Sequence, residues 1–267
     1  WEILGGDLAV LPRRSMRSPQ WDALPTEVWT ALAGALGCSR VGIQGEVAQD
    51  EFRRSGVALK LGDNGLVQHR ENGLLYEFDA TKCMFSSGNV TEKDRVARME
   101  CSGETVVDLF AGIGYYTLPF LVHTGCAHLY ACEWNPTAAS FLRKNLQLNG
   151  VAERCTVLEG DCREVHPVDV ADRVNLGLLP CSRIAWSSAV AALRPRGGIL
   201  HIHSNVPEAD LAEWREEVVG QVASLALELG RDWDVEAAHL ERVKWYAPRV
   251  RHVVLDVRCQ AREHTQQ

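Results

Sequence analysis

The sequence predicts an α/β fold: a mostly parallel, seven-stranded sheet covered by helices on both faces and preceded by a smaller α+β region. Three observations carry this. Beyond about residue 100, strand-like and helix-like stretches alternate, the pattern of a parallel sheet whose strands are joined by helical crossovers. Three of those strands close on an acid: Asp108, Glu133 and Asp161. Before residue 80, by contrast, short strands surround one helix. The expected division is residues 1–80 as the smaller α+β domain and 81–267 as the sheet domain, which a 267-residue chain can hold.

In the first region, residues 2–11 read as a strand, 26–36 as a helix stopped by Gly37, and 40–47 and 57–61 as strands. Asp63-Asn64-Gly65 and Asn72-Gly73 mark turns around 66–69 and 74–78, a hairpin signature. In the second region, 105–109 is a short β-branched run, followed by a helix over 115–122 and a strand over 128–132. Asn135-Pro136 opens the next helix as N-cap and first-turn proline, and Gly150 closes it. Ala138, Leu142 and Leu146 give that helix an apolar face. Strands are expected over 155–158, 173–179 and 198–203, and helices over 182–193 and 208–229. Two further strands, 235–246 and 251–259, flank Pro248.

Composition narrows the function classes. Hydrophobic content of 46% and charged content of 24% are ordinary for a soluble globular protein. No apolar stretch approaches the roughly 20 residues that span a bilayer, so no membrane partner is expected. The nine cysteines form no Cys-x-x-Cys pair and have no histidine at zinc spacing, so no metal site is expected. They fit a reducing, cytoplasmic compartment. The first residue is Trp, which predicts that part of the natural chain precedes it. A net charge of −7 argues against binding nucleic acid by bulk charge, though two basic clusters exist: Arg13, Arg14 and Arg17, and Arg242, Lys244, Arg249 and Arg251.

In sheets of this kind ligands bind beyond the carboxyl ends of the strands. The run Asp108-Leu109-Phe110-Ala111-Gly112-Ile113-Gly114 lies there, and Gly112 and Gly114 let backbone approach a ligand. Glu133 is placed to accept from ribose hydroxyls, and Asp161 from an adenine amino group. A dinucleotide would want a third glycine where Thr117 stands, and room for a pyrophosphate where Tyr115 and Tyr116 stand. An acid at the first strand end suits a cation instead. S-adenosylmethionine (SAM), with its sulfonium and ammonium, fits better than NAD, and the expected fold is the Rossmann-like class I SAM-dependent transferase.

The same residues, with Glu133-Trp134-Asn135-Pro136 and Gly160-Asp161, resemble the tRNA guanosine-37 methyltransferases and wybutosine-synthesising enzymes. The segment Phe78-Asp79-Ala80-Thr81-Lys82-Cys83-Met84-Phe85-Ser86-Ser87-Gly88-Asn89-Val90-Thr91-Glu92-Lys93 is similar to that of the tRNA wybutosine-synthesising protein 2 family. Asn175-Leu176-Gly177-Leu178-Leu179-Pro180 and Gly197-Gly198-Ile199-Leu200-His201-Ile202-His203-Ser204-Asn205-Val206 extend the likeness, which runs from about residue 55 to the end. The resemblance implies transfer of the 3-amino-3-carboxypropyl group of SAM to a tricyclic base at position 37 of tRNA(Phe), in the anticodon loop, with methylthioadenosine leaving. It implies SAM contacts from Ser86, Lys93, Glu133, Asp161 and Cys162, the last through backbone. It makes residues 1–80 a tRNA-facing or accessory domain.

Two departures from the methyltransferase pattern favour that branch. Amino-methylating relatives carry Asn/Asp-Pro-Pro-aromatic after strand four, where this chain reads Asn175-Leu176-Gly177-Leu178; N1-methylating relatives have Pro-Arg where it reads Ser-Gly-Asn. The alternatives are a guanosine-37 methyltransferase and a non-catalytic SAM- or RNA-binding module. His201 and His203 are possible proton acceptors, and strand alternation puts both on one face; the catalytic base stays unassigned. Trp245 and Tyr246, beside Lys244, are candidates to stack on an unpaired base. The sequence sets no oligomeric state.

Overall fold

The computed structural model describes residues 1–16, 18–21, 23–45, 55–85 and 87–262. Its first part holds β1 (Glu2–Leu4), β2 (Leu8–Leu11), α1 (Thr26–Ala35), β3 (Arg40–Ile43) and β4 (Ala58–Leu61), with the strands forming one sheet in that order. The single strand expected over 2–11 is two antiparallel strands, because Gly5 and Gly6 take positive φ and reverse the chain. The strand expected over 40–47 ends at Ile43; residues 46 and 47 lie outside the described residues. Trp29 and Ala33 of α1 bury against Leu11 and Val41 in a small core of their own.

A hairpin follows, β5 (Leu66–Glu71) and β6 (Leu74–Asp79). Asn72 (φ 49°) and Gly73 (φ 78°) both sit in the left-handed region, as a two-residue type I′ turn requires. The hairpin packs its Val67, Leu74, Tyr76 and Phe78 into the same core as the helices described next.

The rest of the chain runs α2 (Val90–Ala97), β7 (Thr105–Asp108), α3 (Thr117–His123), β8 (His128–Glu133), α4 (Pro136–Leu148), β9 (Cys155–Glu159) and α5 (Cys162–Val165). It continues with β10 (Arg173–Leu176), α6 (Trp186–Ala192), β11 (Gly197–Pro207), α7 (Leu211–Glu228), β12 (Trp233–Ala247) and β13 (Val250–Ala261). α4 begins as its sequence dictates: Asn135 Oδ1 accepts from the amides of Thr137 and Ala138 at 2.9 and 3.4 Å, Pro136 fills the first turn, and Gly150 (φ 68°) follows the end. α2 was hidden in the sequence because its buried face carries Glu92 and Lys93 beside Val96, which masks the apolar period. α5 has only four residues, too few to show a period.

Seven strands form one sheet in the order β12-β13-β11-β10-β7-β8-β9. β9, β8, β7, β10 and β11 are parallel; β13 runs antiparallel to both its neighbours. α6 and α7 cover one face, where Trp186, Val190, Val218 and Val222 pack on Val174, Leu200 and Val257. α3 and α4 cover the other with Leu118, Phe120, Leu142 and Leu146. The chain moves outward from β7 to β9, then returns to β10 on the opposite side. That reversal makes a crevice at the carboxyl ends of β7 and β10, where ligands of open α/β sheets bind.

Candidate functional site

A cavity of about 510 Å³ opens over this crevice, within the size range of small-molecule sites. Its walls come from the β7–α3 loop (Leu109, Phe110, Gly112, Ile113), the β8–α4 junction (Glu133, Trp134, Asn135) and the β9–α5 turn (Gly160, Asp161, Cys162). The opposite wall is Met84, Asn89, Tyr116, Gly177, Leu178, Leu179 and Ile184.

The loop after β7 is held from behind. Asp108 is fully buried, and its carboxylate accepts from Thr117 Oγ1 at 2.8 Å and Asn175 Nδ2 at 3.0 Å. Burial raises its pKa against those hydrogen bonds. Asp108 therefore does not line the cavity; it ties the loop to α3 and β10. Gly112 does line it, at φ 57°, and a Cβ there would come within 2.4 Å of the Tyr115 ring. Gly114 (φ 107°) stands just behind, against Leu118 and Leu142.

Glu133 faces the cavity. One carboxylate oxygen accepts from the amide of Gly112 and the other from the amide of Asn135, each at 2.7 Å. Burial raises its pKa, and these amides oppose the rise. The Trp134 amide adds a third hydrogen bond, which leaves room among the carboxylate's roughly four acceptor positions for a ligand hydroxyl. Asp161 is the N-cap of α5 and accepts from the amide and the guanidinium of Arg163, both at 2.9 Å; the Arg163 hydrogen bond lowers its pKa. The thiol of Cys162 is pushed up to about 12 by burial and stays protonated at neutral pH. Glu133, Asp161, Cys162 and Gly112 thus meet in one cavity.

Ser86 lies outside the described residues. Lys93 stands away from the cavity wall. Its ammonium is 2.6 Å from Glu71 of β5, beneath the rings of Phe85, Tyr115 and Tyr76, with the lysine 2% and the glutamate 10% exposed. Burial lowers its pKa and Glu71 opposes this. Because Tyr115 also belongs to the cavity wall and donates to the Met84 carbonyl, this pair fastens the hairpin to the loop.

His201 and His203 share a face, as alternation requires, but neither reaches the cavity wall. Nδ1 of His201 is 2.6 Å from Asp256 Oδ1, and Arg173 donates to its Nε2 at 2.9 Å. Arginine can only donate, so the network assigns the proton to Nδ1 and leaves no free lone pair on this ring. His203 packs on Tyr116, with Nδ1 3.2 Å from His252 Nε2. Burial lowers the pKa of both. Trp245 and Tyr246 are 53% and 59% exposed, and Arg251 stacks 3.6 Å from the Trp245 ring centre. The wall residues Met84, Asn89 and Leu178 lie in segments that carry the family resemblance without being site candidates themselves, and Ile184 gives no signal in the sequence; their place in the wall depends on tertiary packing.

Among known families, the TRM5/TYW2 methyltransferase domain matches residues 67–227. A Danio rerio protein named tRNA wybutosine-synthesizing protein 2 homolog is 44% identical, over 95% of this chain and 70% of its own length. The chain belongs to the tRNA wybutosine-synthesizing protein 2 family. An Arabidopsis thaliana member, tRNA wybutosine-synthesizing protein 2/3/4, is 53% identical over 97% of this chain, which spans only 26% of that relative's length. The crystal structure of Pyrococcus horikoshii TYW2 in complex with MeSAdo superimposes with a TM-score of 0.80 at 31% identity, covering 97% of this chain and 90% of that one. With the strand order above, this makes the sheet the Rossmann-like fold of the class I SAM-dependent transferases, as the sequence predicts.

Proposed function

We propose that this chain transfers the 3-amino-3-carboxypropyl group of SAM to the tricyclic wyosine-type base at position 37 of tRNA(Phe). The observation that carries this is the end of β10. Asn175 turns inward to Asp108 and is fully buried, so Gly177 and Leu178 present no side-chain oxygen to the cavity. An amine acceptor needs such oxygens to hold its hydrogens; a ring-carbon nucleophile does not. Family membership and the wybutosine names of the relatives support the same reading.

SAM brings its own activation, since the sulfonium makes the methionine γ-carbon electrophilic. The bond from that carbon to sulfur breaks and a bond to the ring carbon forms. Methylthioadenosine leaves with the electron pair, and the ring carbon then releases its proton. In this reading Glu133 binds the ribose, Gly112 gives backbone access, and Gly160, Asp161 and Cys162 flank the adenine, with Cys162 contributing backbone. Asp108, Gly114 and Lys93 hold the loop in shape from behind. The chain's contribution to rate is then orientation of the γ-carbon against the acceptor. Residues 1–80, in which α1 has its own small core while Leu4, Leu8, Val10 and the hairpin pack with α3 and α4, serve as the accessory region facing the tRNA, and nine free cysteines suit a cytoplasmic setting.

The test uses substrate tRNA with SAM labelled on the methyl or on the carboxyl carbon. Carboxyl label in tRNA is expected. Methyl label would instead establish methyl transfer, and no label would leave only a binding module.

A further inference from the structure

β10 stops at Leu176, opposite Ile202, whereas β11, β13 and β12 continue together past it. In this extension the register sets Asn205, His252 and Lys244 directly opposite one another in a single row, and opposed residues share a face of the sheet. Few of the row's polar groups are satisfied. Eight buried side-chain nitrogens or oxygens lack a hydrogen-bond partner among the described residues. Five of them belong to Asn205 (both amide atoms), His252 Nδ1, His203 Nε2 and Asn89 Oδ1. Each such group costs about 1–3 kcal/mol if left unsatisfied, so the four on Asn205, His252 and His203 mark a polar patch that water or a ligand group satisfies.

Lys244 is the charged member. Among the described residues it makes no ion pair, and its row neighbours are uncharged. His252 is fully buried and held down at about 4 by burial and by the charge of Lys244, so it is neutral at pH 7. The ammonium rests against Gly88, where a Cβ would come within 2.4 Å of Nζ. Asn89, the next residue, lines the cavity, with its side chain set against Tyr116. A half-buried cation with no ion-pair partner among the described residues therefore stands against Gly88, one residue before the cavity-lining Asn89. The absence of a side chain at Gly88 is what gives it room.

We propose that Lys244, seated at Gly88 beside Asn89, is an oxyanion contact at the lip of the cavity. The anion is either the carboxylate of the amino-acid group to be transferred or a phosphate of the acceptor nucleotide. Asn89 offers an amide beside it, and Asn205 a second one two strands away across His252, which suits an ammonium–carboxylate head as well as a nucleotide. This inference rests on the SAM reading of the cavity.

Three ligands separate the possibilities: SAM, methylthioadenosine, which has no carboxylate, and the anticodon stem-loop RNA carrying the tricyclic base. For Lys244→Gln, methylthioadenosine binding is expected to stay within about twofold. If the anion is the carboxylate, SAM Kd rises about tenfold; if it is a phosphate, RNA Kd rises about tenfold and its salt slope falls by about 0.7–1. Lys244→Arg should restore most of the loss. Gly88→Ala should reproduce it in the wild type and add little to Lys244→Gln, since both act on one ammonium. Unchanged affinity for SAM and RNA overturns the proposal, as does an equal loss for methylthioadenosine, which would mean a collapsed cavity. Failure of the wild type to bind SAM or methylthioadenosine would instead refute the cofactor reading, before any variant is made.

Discussion

The two sides of the crevice are built on opposite principles. On the β7–β8–β9 side, the carboxylates that close the strands are already paired, although the Tyr116 hydroxyl and Asn175 Oδ1 are not. Asp108 is held by Thr117 and Asn175, Glu133 by backbone amides, and Asp161 by Arg163. On the β10–β11–β13–β12 side, Asn205, His203 and His252 keep buried atoms without partners, and Lys244 has no counter-charge among the described residues. The first side is a preorganised socket, whose loop has its shape before a ligand arrives. The second is unfinished. In the proposed reading, rigid backbone meets a cofactor of fixed structure, and the unpaired side is completed by groups of the substrate.

If the socket's rigidity comes from behind, its supports matter most for stability. Glu71→Ala strands the buried ammonium of Lys93 and should lower unfolding free energy by roughly 3–5 kcal/mol in urea titrations. The double change Glu71→Leu with Lys93→Met should recover most of that and keep SAM binding. A stable double variant blind to SAM would put Lys93 in the cofactor site and break the comparison.

The unfinished side predicts an acid response. His201, His203 and His252 are all held below the ordinary histidine value by burial. The unfolded chain therefore takes up protons that the native state refuses, and stability falls as pH drops from about 6.5 toward 4. For His252 alone the loss is on the order of 3 kcal/mol. Melting temperature against pH checks this; a flat profile across that window contradicts the neutral row.

Smaller effects test the socket itself. Glu133→Ala removes a charged acceptor and an anchor of Gly112, and should weaken SAM by about 2 kcal/mol, roughly thirtyfold, in calorimetry. Unchanged affinity would remove Glu133 from the ribose site. Cys162→Ala should change SAM Kd by less than about twofold, because a backbone contact survives the substitution.

The same contrast explains what the sequence could and could not reveal. The socket was legible because its parts are local: an acid at each strand end, Gly112 and Gly114 at a turn, and Asn135-Pro136 opening α4. The role of Asp108 was misplaced by one layer, since only packing shows that Thr117 and Asn175 turn it away from the cavity. Lys93 read as a surface charge or a cofactor contact because its partner Glu71 lies on a different element. The row Asn205–His252–Lys244 was invisible, because it exists only once β11, β13 and β12 are in register. Pairings between distant segments are set by the sheet and leave no spacing to read.

The central claim is which bond to sulfur breaks, and the small-molecule product reports it directly. With substrate tRNA and SAM, mass spectrometry should find methylthioadenosine accumulating in step with modified tRNA. S-adenosylhomocysteine in its place would contradict the account.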